Sequence, residues 1–287
     1  MLKDTMLKKG LSTHIFVYNI LDEAIIKQIK DAGFDAIEIW GMRPHFDYKD
    51  KERIESLARL LKDNSIKVVS FHAPIYEEVT PPDKRKWLSF SSKDNKNRQK
   101  ALTETKELID CMGLFDAGLL VIHGLEDRKE TESIKAFHKS LTELAEYCGE
   151  KNIRIAVENV LHGATAEKIM RLIDDEKYDP DAVGICLDLG HSNISNNPVN
   201  DLEECSERLI ALHVSDNNGR EDSHGVPFTG TIDWMQVAAV LKKIGFDGYF
   251  MYEIRNREDI NNTLNKINES FEKIKEGFKP FFNVFAY

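Results

Sequence analysis

Eight short apolar runs recur along the chain, each followed by a polar turn and then a longer stretch with helical spacing. No other feature limits the fold as much. The runs are "LSTHIFVY" (11–18), "AIEIWG" (36–41), "KVVSFHAP" (67–74), "GLLVIHG" (118–124), "IRIAVEN" (153–159), "VGICLDLGH" (183–191), "LIALHVSD" (209–216) and "GYFMYEI" (248–254). Most are almost continuously apolar, as expected of parallel strands covered on both faces. Between them, segments such as "DEAIIKQIKDAG", "KERIESLARLLKDN" and "WMQVAAVLKKIG" space their apolar residues at helical period, the first ending at Gly33. "PVNDLEECSER" is the weakest of these and reads as one short helix. Eight strands alternating with eight helices predict an α/β protein with a single (β/α)8 barrel. No Gly/Ser linker or low-complexity break divides the chain, so residues 1–287 read as one domain.

Composition narrows the function classes. No apolar run has the length of a membrane span, and the start "MLKDTMLKKG" lacks a signal-peptide core. Cys111, Cys148, Cys186 and Cys205 are far apart and form no C-x-x-C pair, which suggests reduced thiols in a cytoplasmic protein. A net charge of −10 repels a phosphate backbone at long range and weighs against nucleic acid as a partner. There is no G-x-G-x-x-G, P-loop or G-x-S-x-G pattern, so neither a nucleotide cofactor nor covalent acyl chemistry finds support.

The C-terminal ends of barrel strands converge on one mouth. Those ends carry His72, His123, Glu158, Asp188, His213 and Glu253, one from each strand from the third to the eighth. Any one of them alone is an ordinary rim residue. Together, three carboxylates aimed into one apolar funnel repel each other and lose hydration, and a divalent cation removes that conflict. Carboxylate and imidazole without thiolate suits catalytic Zn²⁺ or Mn²⁺, with Co²⁺, Fe²⁺ and Mg²⁺ also compatible. Glu158, Asp188, His213 and Glu253 form the central four. His191, three residues after Asp188, lies within reach of substrate or of a second metal.

At these residues the chain resembles the xylose isomerase-like TIM-barrel superfamily, which includes sugar isomerases and epimerases and also endonuclease IV-type repair enzymes. The resemblance rests on "GFDAIEIWG", "FHAP", "VIHG", "VENV", "GICLDLGH", "LHVSDNNGREDSHGVPFTGTIDW" and "YEI", in that order. From the isomerase branch it implies one divalent metal on Glu158, Asp188, His213 and Glu253. Glu158 and Glu253 then serve as acid and base beside a carbonyl, and His191 holds a hydroxyl of a small carbohydrate. From the endonuclease branch it implies three zinc ions and phosphodiester cleavage in abasic DNA. His72 and His123 then share Glu158 around one zinc, while His191, Asp222 and His224 hold another. The short loop "MRPHFDYKD" and the ending "GTIDW" look more like the isomerase branch. A different reaction on a polyol or keto acid is a smaller alternative. A non-catalytic binding protein is disfavoured by the intact ligand set.

Several residues have two readings. Trp40 can stack on a sugar face or simply close the mouth. Glu38 is read as a structural hydrogen-bonding group at the barrel top. Arg220 and the run Lys84–Lys86 read as solvated charge, with contact to a substrate phosphate as the alternative. The long loops 75–95 and 217–232 are expected to be functional. The aromatic ending "KPFFNVFAY" reads as packing on the barrel exterior or as a homo-oligomer contact.

Overall fold

The computed structural model describes residues 7–125, 131–161, 164–256 and 258–278. The aromatic ending at 279–287 lies outside them. Eight parallel strands close into one barrel in sequence order: β1 (Lys8–Ser12), β2 (Ala36–Trp40), β3 (Lys67–His72), β4 (Leu119–His123), β5 (Arg154–Glu158), β6 (Val183–Asp188), β7 (Leu209–Val214) and β8 (Tyr249–Tyr252). Closure is made by β1 and β8, from Lys8 opposite Tyr249 to Leu11 opposite Tyr252. Outside lie α1 (Glu23–Asp31), α2 (Lys51–Asp63), α3 (Asn95–Met112), α4 (Thr131–Gly149), α5 (Ala166–Asp175), α6 (Leu189–Ser195), α7 (Pro198–Glu204), α8 (Trp234–Ile244) and α9 (Ile260–Phe278). The predicted (β/α)8 barrel is the fold. No helix among the described residues is long and apolar enough to cross a membrane.

Side chains alternate along each strand, and the two faces differ in size as well as polarity. Outward residues such as Ile37, Phe71, Leu120, Ile155, Ile185 and Phe250 join the helices in one large apolar cluster. Burying each such side chain contributes roughly 1.5–3 kcal/mol. Val121, Ala156 and Cys186 form a separate small cluster inside the barrel. Gly10 also faces inward, where an added Cβ would lie 2.8 Å from the Met251 methyl. The narrow interior therefore leaves room near its top for polar side chains. Helices start on carboxylate caps, with Asp22 accepting from the Ile25 amide and Asp50 from the Arg53 amide, which satisfies free N–H groups of the first turn. All four cysteines are buried and unpaired.

Two segments differ from the sequence reading. The first strand ends at Ser12 rather than running through "THIFVY", because Thr13–Phe16 coil into a single 3₁₀ turn. Ser12 Oγ accepts from the His14 amide at 3.4 Å and caps that turn. Ile15, Phe16 and Val17 are buried without belonging to the sheet, so their apolar run imitates a strand. Between β6 and β7 the short helix expected in "PVNDLEECSER" is α7, and a further helix, α6, begins where the strand was expected to continue. Asp188 ends β6 and caps α6 through the His191 amide, so "LGH" is helix rather than strand.

Phe71 packs against Phe46 and Phe115, with ring centroids 5.5 and 5.3 Å away, and is fully buried. Phe71→Ala is expected to cost roughly 3–5 kcal/mol in a urea unfolding titration, through lost transfer energy and the cavity left behind. A loss below about 1 kcal/mol would contradict this packing.

Candidate active site

Barrel closure brings every sequence-predicted ligand to one end. Glu158, Asp188, His213 and Glu253 are all nearly fully buried, and each offers a ligand atom within 4.8 Å of the others'. His72, His123 and Glu158 converge to the same limit, as do His191, Asp222 and His224. A further group is His14, His224 and Glu253. His14 was not singled out by sequence, because its place depends on the 3₁₀ turn after β1. Glu253 follows β8 directly and Asp188 is the last residue of β6.

Most of the imidazoles are locked by a hydrogen bond on one nitrogen, which aims the other. Nδ1 of His72 donates to the Ala73 carbonyl, that of His191 to Asn159 and that of His224 to Glu253, at 2.8–2.9 Å. Their Nε2 atoms then face carboxylates: His72 lies 3.1 Å from Glu158 and His224 lies 3.0 Å from Asp222. His191 Nε2 is 3.8 Å from Asp222. His213 is held the other way round. Its Nε2 lies within 3.2 Å of both oxygens of Glu38, and its Nδ1 lies 3.2 Å from Glu158 and 2.9 Å from Glu253. Ser12 and Ser70 donate to the same Glu38 carboxylate. Glu38 is thus the inward hydrogen-bonding group expected, and its partner is an imidazole of the cluster. Such an outer partner fixes both tautomer and ring orientation.

The charges are mutually dependent. Burial opposes ionisation of Glu158, but His213 and His72 outweigh it and hold its carboxyl well below the usual range. Glu253 is likewise held low against burial, chiefly by His213. Burial lifts Asp188 to about 6. Burial also works against charge on His191, His224 and His213, yet the surrounding carboxylates raise the first two to about 10 and about 9 and the third well above its ordinary value. His123 and His14 lack comparable partners, and burial lowers them to about 4 and about 3. Asp188 Oδ2 and Asp222 Oδ1 are buried with no hydrogen-bond partner, and Glu253 Oε2 has only His213 Nδ1 beside it. Oxygen lone pairs left this way, beside imidazole nitrogens, fit a divalent cation.

Asn159 and Asp216 position the cluster, and neither stood out in sequence. Asn159 accepts from the Asp188 amide at 2.7 Å and donates to the Asp188 carbonyl at 3.0 Å, tying β5 to β6. Asp216 is fully buried after β7 and accepts from the Gly230 and Ile232 amides and from Trp234 Nε1. These bonds fold back the 217–232 loop that carries Asp222 and His224. Gly230 is required there, since a Cβ would lie 2.1 Å from the Asn217 carbonyl oxygen. His224 itself has φ +45°, an unusual backbone state for a side-chain-bearing residue and common at functional sites. Trp40 is 5% exposed, with its ring stacked on His72 and tilted against His14. Above the cluster opens a cavity of about 380 Å³ bordered by Trp40, Tyr76, Trp87 and Arg255.

Comparison with known proteins bears on the family and the fold. Residues 26–277 match the family model described as "Xylose isomerase-like TIM barrel". The uncharacterized protein MJ1311 of Methanocaldococcus jannaschii is 26% identical over 283 residues, covering 94% of this chain and 91% of its own. Fructoselysine 3-epimerase of Shigella flexneri is 24% identical over 254 residues, covering 81% of this chain and 84% of its own. The crystal structure of a D-tagatose 3-epimerase-like protein superposes with a TM-score of 0.77 at 25% identity, covering 95% of this chain and 100% of that one. The IOLI protein, solved with a binding zinc atom, gives a TM-score of 0.79 at 19% identity over 96% and 100% of the two chains, a likeness of fold.

Asp216→Ala would strand the Asn217, Gly230 and Ile232 amides and an indole N–H in a buried loop. The expected loss is roughly 2–4 kcal/mol by urea unfolding, with faster amide exchange confined to the 217–232 loop. Unchanged exchange in that loop would show that Asp216 does not hold it.

Proposed function

The chain belongs to the xylose isomerase-like TIM barrel family, and from that premise we propose that it is a divalent-metal-dependent isomerase or epimerase acting on a sugar or sugar derivative. The observation that carries this reading is the convergence of Glu158, Asp188, His213 and Glu253 within 4.8 Å at the barrel mouth. These four would hold the metal, with Zn²⁺ and Mn²⁺ favoured by the mixed carboxylate and imidazole donors. When bound, a divalent cation supplies Lewis acidity beside a carbonyl and so lowers the cost of removing a proton from the adjacent carbon.

The chain's own residues do the rest. Glu158 and Glu253 are the proton-moving pair, one acting as carboxylate to remove the carbon-bound proton and the other, carrying a proton taken from solvent, returning one. His191, locked by Asn159 with Nε2 facing the cavity side, holds a substrate hydroxyl. Trp40 packs beside the bound carbon skeleton and excludes water. Glu38 keeps His213 in register. The chain is read as one domain, since Glu38 of β2 holds His213 of β7 within the same site.

A second reading is favoured by one specific observation. His72, His123 and Glu158 on one side, and His191, Asp222 and His224 on the other, converge as tightly as the central four. That arrangement suits several zinc ions and an endonuclease IV-type phosphodiesterase acting on abasic DNA. The epimerases among the relatives weigh towards the first reading.

Elemental analysis of protein purified without chelator is expected to give about one zinc or manganese per chain. About three zinc ions, with nicking of abasic-site duplex DNA, would replace the first reading by the second. In a separate test, Glu253→Gln is expected to slow exchange of the carbon-bound proton of a ketose with deuterated solvent by roughly 10²–10⁴-fold. Exchange at the wild-type rate would sink the two-glutamate assignment.

Metal uptake should also be linked to protons. The carboxylates around His213 hold its imidazole well above its ordinary value in the metal-free protein, whereas a cation binds only the neutral imidazole. Binding is therefore expected to release a proton from His213, and the apparent affinity to rise with pH. Calorimetry in buffers of different ionisation enthalpy reads the number released, and a value near zero would place His213 outside the metal shell.

A further inference from the structure

The mouth has two lobes of opposite character. The deep lobe ends on Glu158, Asp222 and Glu253 with their imidazoles. A shallower lobe of about 160 Å³ adjoins it and shares its border residues His14, Trp40, Tyr76, Arg85 and Arg255. Among the described residues no carboxylate lines the shallow lobe. Its polar groups are the two guanidiniums, the amides of Asn19 and Asn256, the Tyr18 and Tyr76 hydroxyls, the His14 imidazole and the Trp40 indole.

Both arginines are held in place without an acidic partner among the described residues. Arg85 donates from Nε to the Thr80 carbonyl at 3.3 Å and from Nη2 to the Tyr18 hydroxyl at 3.4 Å. Its guanidinium lies 4.9 Å from the Tyr76 ring centroid. A short antiparallel ribbon carries it over the mouth: Tyr76 bridges to Trp87, the Glu77 amide donates to the Lys86 carbonyl and the Leu88 amide to the Ile75 carbonyl. Arg255, two residues beyond Glu253, donates from Nη1 to the Asp222 carbonyl. Elsewhere Arg43 pairs with Glu78, Arg171 with Glu167 and Arg208 with Asp174, whereas Arg53, Arg98 and Arg154 bond carbonyls or neutral side chains away from the mouth. In a chain with 49 acidic and 39 basic residues, two guanidiniums on the border between the lobes, neither in an ion pair among the described residues, mark a place where the charge is supplied from outside. Guanidinium forks match the oxygens of phosphate and carboxylate.

We propose that the shallow lobe binds an anionic group, phosphate or carboxylate, at the end of the substrate remote from the reacting carbon, so that the preferred substrates are anion-bearing ketoses rather than neutral ones. This rests on the isomerase or epimerase reading of the deep lobe. The deep lobe takes the hydroxy-ketone end and the shallow lobe fixes the other, which sets which carbon faces Glu158 and Glu253. Of the charges read from sequence as solvated, Arg85 is the one that turns inward.

The test compares metal-loaded wild-type protein, Arg85→Gln and Arg255→Gln on a neutral ketose, its terminal phosphate and the matching keto-acid sugar. We expect kcat/KM for one anion-bearing substrate to exceed that for the neutral ketose by about 100-fold or more. Arg85→Gln should lower that value by roughly 10–100-fold, chiefly through KM, and change the neutral ketose by less than about 3-fold. The anion whose turnover falls most under Arg85→Gln identifies the group recognised. Equal turnover of neutral and anionic ketoses, or equal losses on both in the variants, would overturn the proposal.

A binding measurement separates this inference from the reaction it rests on. Inorganic phosphate titrated into metal-free protein is expected to alter tryptophan emission, since Trp87 packs on Tyr76 at 4.8 Å, and Arg85→Gln should weaken that binding about tenfold or more. If no sugar is turned over while phosphate binding persists and depends on Arg85, the reaction reading falls and the anion lobe stands. If neutral ketoses are epimerised and phosphate does not bind, the lobe falls and the reaction reading stands.

Discussion

The architecture at the barrel mouth is governed by the difficulty of keeping carboxylates together away from water. Glu38, Glu158, Asp188 and Glu253 are each at most 2% exposed and share one small volume with His72 and His213. Charges of like sign at such separation in a low-dielectric interior strongly oppose one another. The chain meets this with imidazoles, interleaved so that each carboxylate has at least one nearby. Protons therefore serve as counter-charge wherever no cation does. The same arrangement that makes the cluster tolerable makes it receptive to a metal, because a cation replaces several protons at once.

Order in the cluster comes from backbone carbonyls as well as from the Glu38 and Asn159 side chains. Three imidazoles give one nitrogen to a carbonyl of their own mouth region, and those carbonyls belong to strand ends and first loop residues. The barrel sets the carbonyls, the carbonyls set the rings, and the rings set the free nitrogens. Asp216 extends this chain of control to the 217–232 loop, whose Asp222 and His224 do not lie on the barrel wall. A well-supported site of this kind needs little rearrangement on binding, which is the usual basis of tight and selective ligation.

Much of this was legible in the sequence, for a physical reason. A parallel barrel points its strand ends to one place, so locating eight apolar runs and reading their last residues gave His72, His123, Glu158, Asp188, His213 and Glu253 without any knowledge of contacts. What escaped depends on geometry that no periodicity encodes. His14 is inside the mouth because a Ser12-capped turn interrupts an apolar run that looks like strand. Asp216 resembled one more polar residue after "LHV", and its hydrogen bonds span up to eighteen positions. Arg85 belongs to a run of three basic residues, and only the Tyr76–Trp87 ribbon decides which of the three faces inward.

The size difference between the two faces of each strand has a consequence for how such a protein can change. Residues that pack beneath the helices and residues that line the interior alternate along β5, with Ile155 and Val157 on one side and Ala156 and Glu158 on the other. Durability and chemistry are therefore written in interleaved letters of the same short words. A lineage can rewrite one set while leaving the other intact, and drift in the outward letters need not disturb what the inward ones do. The barrel is in that sense two texts sharing a line, one read by the helices and one by whatever enters the mouth.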